Sequence, residues 1–155
     1  MIRFLFPLIL SFSLLIRGQE AGPKEFAQSI TQQELKELLY VYASDYFKGR
    51  RTGSKGQKIA VDFLRNYYMD LNIQAAEGTN NYFQEMTLKV DRQMVSTENV
   101  AAVIRGSEFP DEYIIFTAHL DHIGTEGGQI NNGADDDGSG TVTMLEIAEA
   151  IQLAV

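Results

Sequence analysis

Tyr113-Ile114-Ile115-Phe116-Thr117 leads straight into Ala118-His119-Leu120-Asp121-His122. The first five residues are β-branched or aromatic and apolar throughout, which is the composition of a central strand covered on both faces. The cluster from Thr117 to His122 then places two imidazoles and a carboxylate at that strand's C-terminal end, where open α/β sheets bind their ligands. A second polar cluster follows at Gly133-Ala134-Asp135-Asp136-Asp137-Gly138-Ser139-Gly140. It sits just ahead of a helical pattern with Val142, Leu145, Ala148, Ile151 and Val155 apolar, running from about Ser139 to Val155. If strand and helix are neighbours, both clusters share one edge of the sheet.

Upstream, the same reading finds helices and then strands. Thr31-Gln32-Gln33-Glu34 is a capping box, and Leu35, Leu38, Leu39 and Tyr42 continue it at helical spacing to near Ser44. Lys48 to Gly56 is a loop with three glycines and two adjacent arginines, Arg50 and Arg51. Ser54 and Gln57 then open a second helix with the stripe Ile59, Ala60, Phe63, Leu64 and Tyr67. Gly78 to Asn81 reads as a turn, after which the period changes to two. Met86, Leu88 and Val90 alternate with Thr87 and Lys89, and Asn99 to Ile104 is a further short β-branched run. The pattern predicts an α/β fold with a central mixed, mostly parallel sheet flanked by helices.

The N-terminus has a different character. Arg3 precedes an apolar or small run of 13 residues, Phe4 to Ile16, followed by Arg17. A basic start with a short apolar core is the layout of a secretory signal peptide, whereas a membrane span takes about 20 residues. Residues 1–18 are therefore expected to be a removed signal, with residues 19–155 the mature part. Export to a periplasm or the extracellular space follows, with no membrane attachment after cleavage.

The chain carries 13 Lys plus Arg against 21 Asp plus Glu, a net charge of −8. Loss of Arg3 and Arg17 leaves 11 bases against 21 acids, or −10, in the mature part. Such a surface argues against nucleic acid as a partner, because phosphate binding needs basic residues. There is no cysteine, which excludes disulfide scaffolds, thiolate metal sites and thiol nucleophiles. With only two histidines, His119 and His122, all imidazole chemistry passes through one stretch.

Three consecutive aspartates repel one another, by about 1 kcal/mol for each pair ~4 Å apart in water and more as water is excluded. A tight glycine turn holding such a run points to a cation, and the helix N-terminus after it favours negative charge by a further ~0.3–1 kcal/mol. His119 reads as a metal ligand, with Asp121 as the carboxylate that orients its ring. His122 reads as a flanking residue. Asp135-x-Asp137-x-Ser139-Gly140, with Glu146 twelfth, has the outline of a calcium loop. That reading fails on context. No helix enters the loop, since Gly124 to Ala134 holds four glycines and two adjacent asparagines, and the last helix begins inside it.

Taken together, Thr117 to His122 and Gly133 to Gly140 resemble the first half of a zinc peptidase of metallopeptidase family 28, the bacterial aminopeptidase group. Lys48 to Gly56 and Asn99-Val100-Ala101-Ala102-Val103-Ile104-Arg105-Gly106 support the match, which covers roughly residues 30–155. The resemblance implies a zinc-exopeptidase-like fold, incomplete at its C-terminus, with residues 19–155 the N-terminal part of the catalytic domain. It implies that His119 binds one zinc, that Asp136 bridges two, and that Asp121 orients His119. Asp135 and Asp137 lie beside the site as structural neighbours, and Asp136 and Asp137 are joined by a cis peptide. It further implies hydrolysis of N-terminal residues from peptides with a free N-terminus, by hydroxide held between two zinc ions.

Family members supply a glutamate general base, further carboxylate ligands and a second histidine from later in the chain. The sequence as written is accordingly expected not to turn over peptides. Two other outcomes stay open at this point. One is a non-catalytic exported metal-binding module. The other is a single-zinc transferase of the glutaminyl cyclase kind.

Overall fold

A computed structural model describes residues 22–155; the expected signal segment at residues 1–18 lies outside them. Four α-helices are present: α1 (Pro23–Ala27), α2 (Gln32–Tyr42), α3 (Lys55–Asp70) and α4 (Ser139–Gln152). The expected caps account for two of the starts. Thr31 Oγ1 accepts from the Glu34 amide at 3.2 Å, the capping half of the box, and its hydroxyl donates to the Glu34 carboxylate at 2.6 Å. Ser54 Oγ accepts from the Gln57 amide at 3.4 Å. Among the described residues no helix is long and apolar enough to cross a membrane.

The apolar stripes of α2, α3 and α4 meet in one core of Tyr42, Phe47, Ala60, Leu64, Tyr68, Ile73, Val142 and Leu145. Phe47 comes from a short turn of helix, Asp45–Arg50, that links α2 to the loop before α3. Its ring packs against Tyr42 at 5.3 Å and edge-on against Phe63 at 5.5 Å, geometries that aromatic pairs favour. The last three residues of that turn, Lys48, Gly49 and Arg50, all have left-handed φ, between 48° and 66°. At Gly49 the conformation and the surroundings both demand glycine, because a Cβ there would meet the carbonyl oxygens of Gly124 and Asn131 at 2.6 Å.

The strands form three two-stranded antiparallel sheets: β1 (Gln74–Ala75) with β4 (Ala102–Val103), β2 (Phe83–Val90) with β3 (Gln93–Val100), and β5 (Gly124–Glu126) with β6 (Gln129–Asn131). The fold mixes helix and strand, as an α/β composition requires, but the expected mostly parallel central sheet is not what pairs. The one parallel contact among the described residues is an isolated bridge between Arg51 and His122. The reason lies in Tyr113–Thr117, expected as the central strand. It has no hydrogen-bonded neighbour among the described residues, and Ile114 and Ile115 are 86% and 79% exposed. An extended run becomes a strand only against a partner, and none lies beside it.

Two hairpins were not visible in the residue pattern. β2 and β3 join through Asp91 and Arg92, both at positive φ (48° and 69°). That two-residue turn usually announces itself as Asn-Gly or Asp-Gly, and Arg92 conceals it. β5 and β6 lie inside the Gly- and Asn-rich stretch read as a loop, closed by Gly127 and Gly128. The run Asn99–Ile104 is divided between the end of β3 and β4.

Candidate metal centre

His119 lies just beyond the unpaired run and is held at two backbone points. Its carbonyl accepts from Thr141 Oγ1 in α4 at 3.2 Å, and its amide donates to Asp137 Oδ2 at 3.1 Å. The other oxygen of Asp137 accepts from the Gly140 amide at 3.2 Å. Asp137 thereby ties the histidine to the first turn of α4, a position where a negative charge also meets the helix dipole favourably.

Asp136 sits on the kinked turn Ala134–Gly138 that precedes α4, and the Asp136–Asp137 peptide bond is cis. Its carboxylate projects away from the turn with 72% of the side chain exposed. Oδ1 lies 3.0 Å from His119 Nε2, and Oδ2 lies 3.7 Å from His122 Nδ1. The other nitrogen of His119, Nδ1, faces Asp121, at 3.0 Å from its carbonyl oxygen and 3.5 Å from its carboxylate. Asp121 in turn accepts a hydrogen bond from the Thr52 hydroxyl. Asp135 touches neither histidine; its carbonyl accepts from Ser139 Oγ at 3.2 Å.

Burial draws the His119 imidazole down, but the Asp121 carbonyl, Asp137, the hydrogen bond to Asp136 and the Asp121 carboxylate outweigh it and hold its pKa above the ordinary value. The site is therefore electronegative and open, built to hold positive charge against one imidazole face. His122, read as a flanking residue, has its ring largely buried and turned to the same aspartate. Gly133 makes room for it: its φ is +56°, and a Cβ would come within 2.5 Å of the His122 ring and 2.7 Å of the Asp136 carbonyl.

Three supporting residues escaped the motif reading: Tyr42, Arg50 and Thr52. Arg50 is fully buried. Its Nε donates to the Leu120 carbonyl at 2.8 Å, Nη1 to Tyr42 at 3.1 Å and Asn132 at 2.7 Å, and Nη2 to Gly133 at 2.9 Å. Burial pushes Tyr42 up to about 12, with Arg50 opposing, so its hydroxyl stays protonated and donates to the Leu120 carbonyl at 3.0 Å. The only trace of this in the sequence is a pair of arginines in a glycine loop, a composition that by itself reads as a solvated turn.

With this geometry in hand, the relation to known proteins can be stated. Residues 99–154 match the model of Peptidase family M28, a span that takes in His119, Asp121, His122 and all three aspartates. Over that span the chain is similar to the zinc peptidases of family M28. It is 24% identical over 151 residues to the alkaline phosphatase isozyme conversion protein of Escherichia coli, covering 91% of this chain and 41% of that one. It is 30% identical over 91 residues to a probable zinc metalloprotease of Leptosphaeria maculans, covering 57% of this chain and 21% of that one. The chain thus spans about two fifths of the first relative and one fifth of the second. No solved structure matches it.

The similarity of residues 99–154 to M28 peptidases makes zinc the metal to test against the donors present. Two donors on one tetrahedral zinc, with bonds of about 2.0–2.1 Å, lie roughly 3.3 Å apart. His119 Nε2 and Asp136 Oδ1, at 3.0 Å, fit that separation after an opening of a few tenths of an ångström. The second nitrogen of His119 is turned to an aspartate, as metal-bound histidines require. Among the described residues no group of three or more such side chains converges on one point, so this chain presents two donors of a shell.

Proposed function

We propose that this chain contributes the His119–Asp136 part of the metal centre of an exported zinc aminopeptidase. The observation that carries the reading is the 3.0 Å approach of His119 Nε2 to Asp136 Oδ1, with Nδ1 turned to Asp121. In this reading His119 and Asp136 hold zinc, and Asp121 fixes the tautomer and ring angle of His119. The two oxygens of Asp136 face different directions, toward His119 and toward His122, which supports a carboxylate shared between two ions. Bound zinc supplies Lewis-acid polarisation of a peptide carbonyl and acidifies water.

The chain's own residues do the rest. Asp137 holds the His119 backbone against α4, Thr52 holds the Asp121 carboxylate, and Asp136 stays solvent-facing, where a peptide can approach. A preference for substrates with a free α-amine follows from the resemblance of both clusters to aminopeptidases. Export rests on the basic and apolar pattern of residues 1–18.

The test is a zinc titration of the chain, followed by the ring resonances of its two histidines, with Asp136→Asn and His119→Ala alongside. Zinc should shift the His119 ring, and either substitution should weaken the response by at least about tenfold. Peptides with free and acetylated N-termini are then offered to the zinc-loaded chain. Release from the free form alone supports the aminopeptidase, while zinc binding without release fits a chain that carries only part of the ligand set. A His119 ring that ignores zinc at millimolar concentration overturns both.

A further inference from the structure

We infer that Arg50 is the positioning residue that holds the two ligand-bearing loops in register, an inference that rests on the zinc reading for its purpose but not for its geometry. His119 and Asp136 are carried by separate segments, 17 residues apart in sequence. Neither backbone donates to or accepts from the other except where Thr141 and Asp137 reach His119 from the α4 side. On the opposite side, the guanidinium of Arg50 lies between them. Nε takes the Leu120 carbonyl, next to His119, while Nη1 and Nη2 take the carbonyls of Asn132 and Gly133, which lead into the aspartate turn.

The Gly133 carbonyl also accepts from the Gly138 amide at 3.1 Å and so closes the turn that presents Asp136. The Arg50 carbonyl accepts from the His122 amide at 3.2 Å, which extends the tie one residue beyond Asp121.

The choice of side chain follows from the shape of the task. Three carbonyls from two loops, and that of Tyr42, point at one buried spot, and they demand a flat donor with several fixed N–H directions. A guanidinium has five such donors in one plane, whereas an ammonium is a point charge with three. Arg50 has no carboxylate ion-pair partner among the described residues. Four carbonyl oxygens and the face of Tyr42, 4.5 Å from its Cζ, meet its charge instead. Such an arrangement uses the cation as a joint between backbones, leaving the carboxylates of the site free to serve a metal.

Arg50→Lys tests the joint while keeping the charge, with Leu64→Ala as a control that loosens the core without removing a hydrogen-bond donor to either loop. Zinc affinity is measured by competition with a chromophoric chelator. Amide exchange is followed at His122 and Gly138, the two amides that close the loops. In Arg50→Lys, affinity should fall about 10–100-fold, the range for residues that orient metal ligands, and exchange should rise at both amides together. Leu64→Ala should lower overall stability yet leave the affinity of the folded protein within about twofold. Tyr42→Phe, which removes a donor to Leu120 and leaves Arg50 in place, should speed exchange at His122 and spare Gly138.

Wild-type zinc affinity in Arg50→Lys, or an equal loss in Leu64→Ala, overturns the positioning role. If instead His119→Ala binds zinc as tightly as the parent, the metal reading fails, and the paired exchange response still decides whether Arg50 joins the loops.

Discussion

Arg50 and Glu146 are both buried charges, the first fully and the second with 5% of its surface exposed, and the fold treats them in opposite ways. Around Arg50, four carbonyl oxygens and an aromatic face converge on the guanidinium. Around Glu146, on the inner side of α4, no hydrogen-bond or ion-pair partner is present among the described residues. The side chain lines a groove whose other acids are Glu34, Glu37 and Glu149, with the Tyr67 hydroxyl engaged by Glu149 at 2.8 Å. A buried charge costs several kcal/mol in desolvation unless something answers it. The region that positions the candidate metal centre meets its charge with protein groups, whereas the Glu146 carboxylate faces an acidic groove open to solvent.

The sharpest way to break this contrast is to remove the answered charge. Arg50→Met keeps the stem and takes a donor from each of four carbonyls, leaving those of Tyr42 and Asn132 without a side-chain partner, so unfolding free energy should fall by about 3–5 kcal/mol in urea. A loss below about 1 kcal/mol would mean that water replaces the guanidinium and that the site is not dry.

Gly133→Ala comes next. It asks a side chain to adopt φ +56° against the His122 ring and the Asp136 carbonyl, for a cost of about 1–3 kcal/mol from the backbone alone. The His122 ring resonances should shift with it, and unchanged resonances would place the accommodation elsewhere.

Glu146→Gln should act with the opposite sign and a smaller size. Burial first, then Glu149 and Glu34, holds the Glu146 carboxyl above its usual value. Below the ordinary carboxylate value the group is protonated in both folded and unfolded chains and costs nothing. As pH rises through the window up to the raised value, the unfolded chain ionises first and stability falls, and the penalty is complete above that window. The variant should therefore melt higher than the parent at neutral pH and lose its advantage in acid. An advantage that persists in acid would assign the effect to packing.

Thr52→Val removes the hydroxyl that holds Asp121, itself partly solvated. About 0.5–1 kcal/mol of stability and roughly tenfold in zinc affinity should go with it. Met94→Lys, at the exposed start of β3, should fall within about 0.5 kcal/mol of the parent and leave zinc affinity untouched.

Much of this could be read along the chain because the physics involved is local. Thr31 and Ser54 cap α2 and α3 through contacts three residues away. The stripe from Val142 to Ile151 makes a helix wherever it is placed, and the two polar clusters declare their chemistry by composition. What failed to show was whatever depends on a neighbour. Tyr113–Thr117 has every property of a central strand, and nothing among the described residues pairs with it. The β2–β3 hairpin was hidden because Asp91-Arg92 lacks the glycine that marks such a turn.

The amino-acid sequence alone therefore determined helices α2, α3 and α4, the two polar clusters and the candidacy of His119, Asp121 and Asp136, since each depends on residues within one turn or one motif. Only the tertiary structure decided that His122 turns to Asp136 and that Arg50 joins the loops carrying His119 and Asp136. The Arg50 contacts to those loops bring together groups 70 to 83 residues apart, and spacing along a chain carries no record of which distant carbonyls a buried guanidinium will meet.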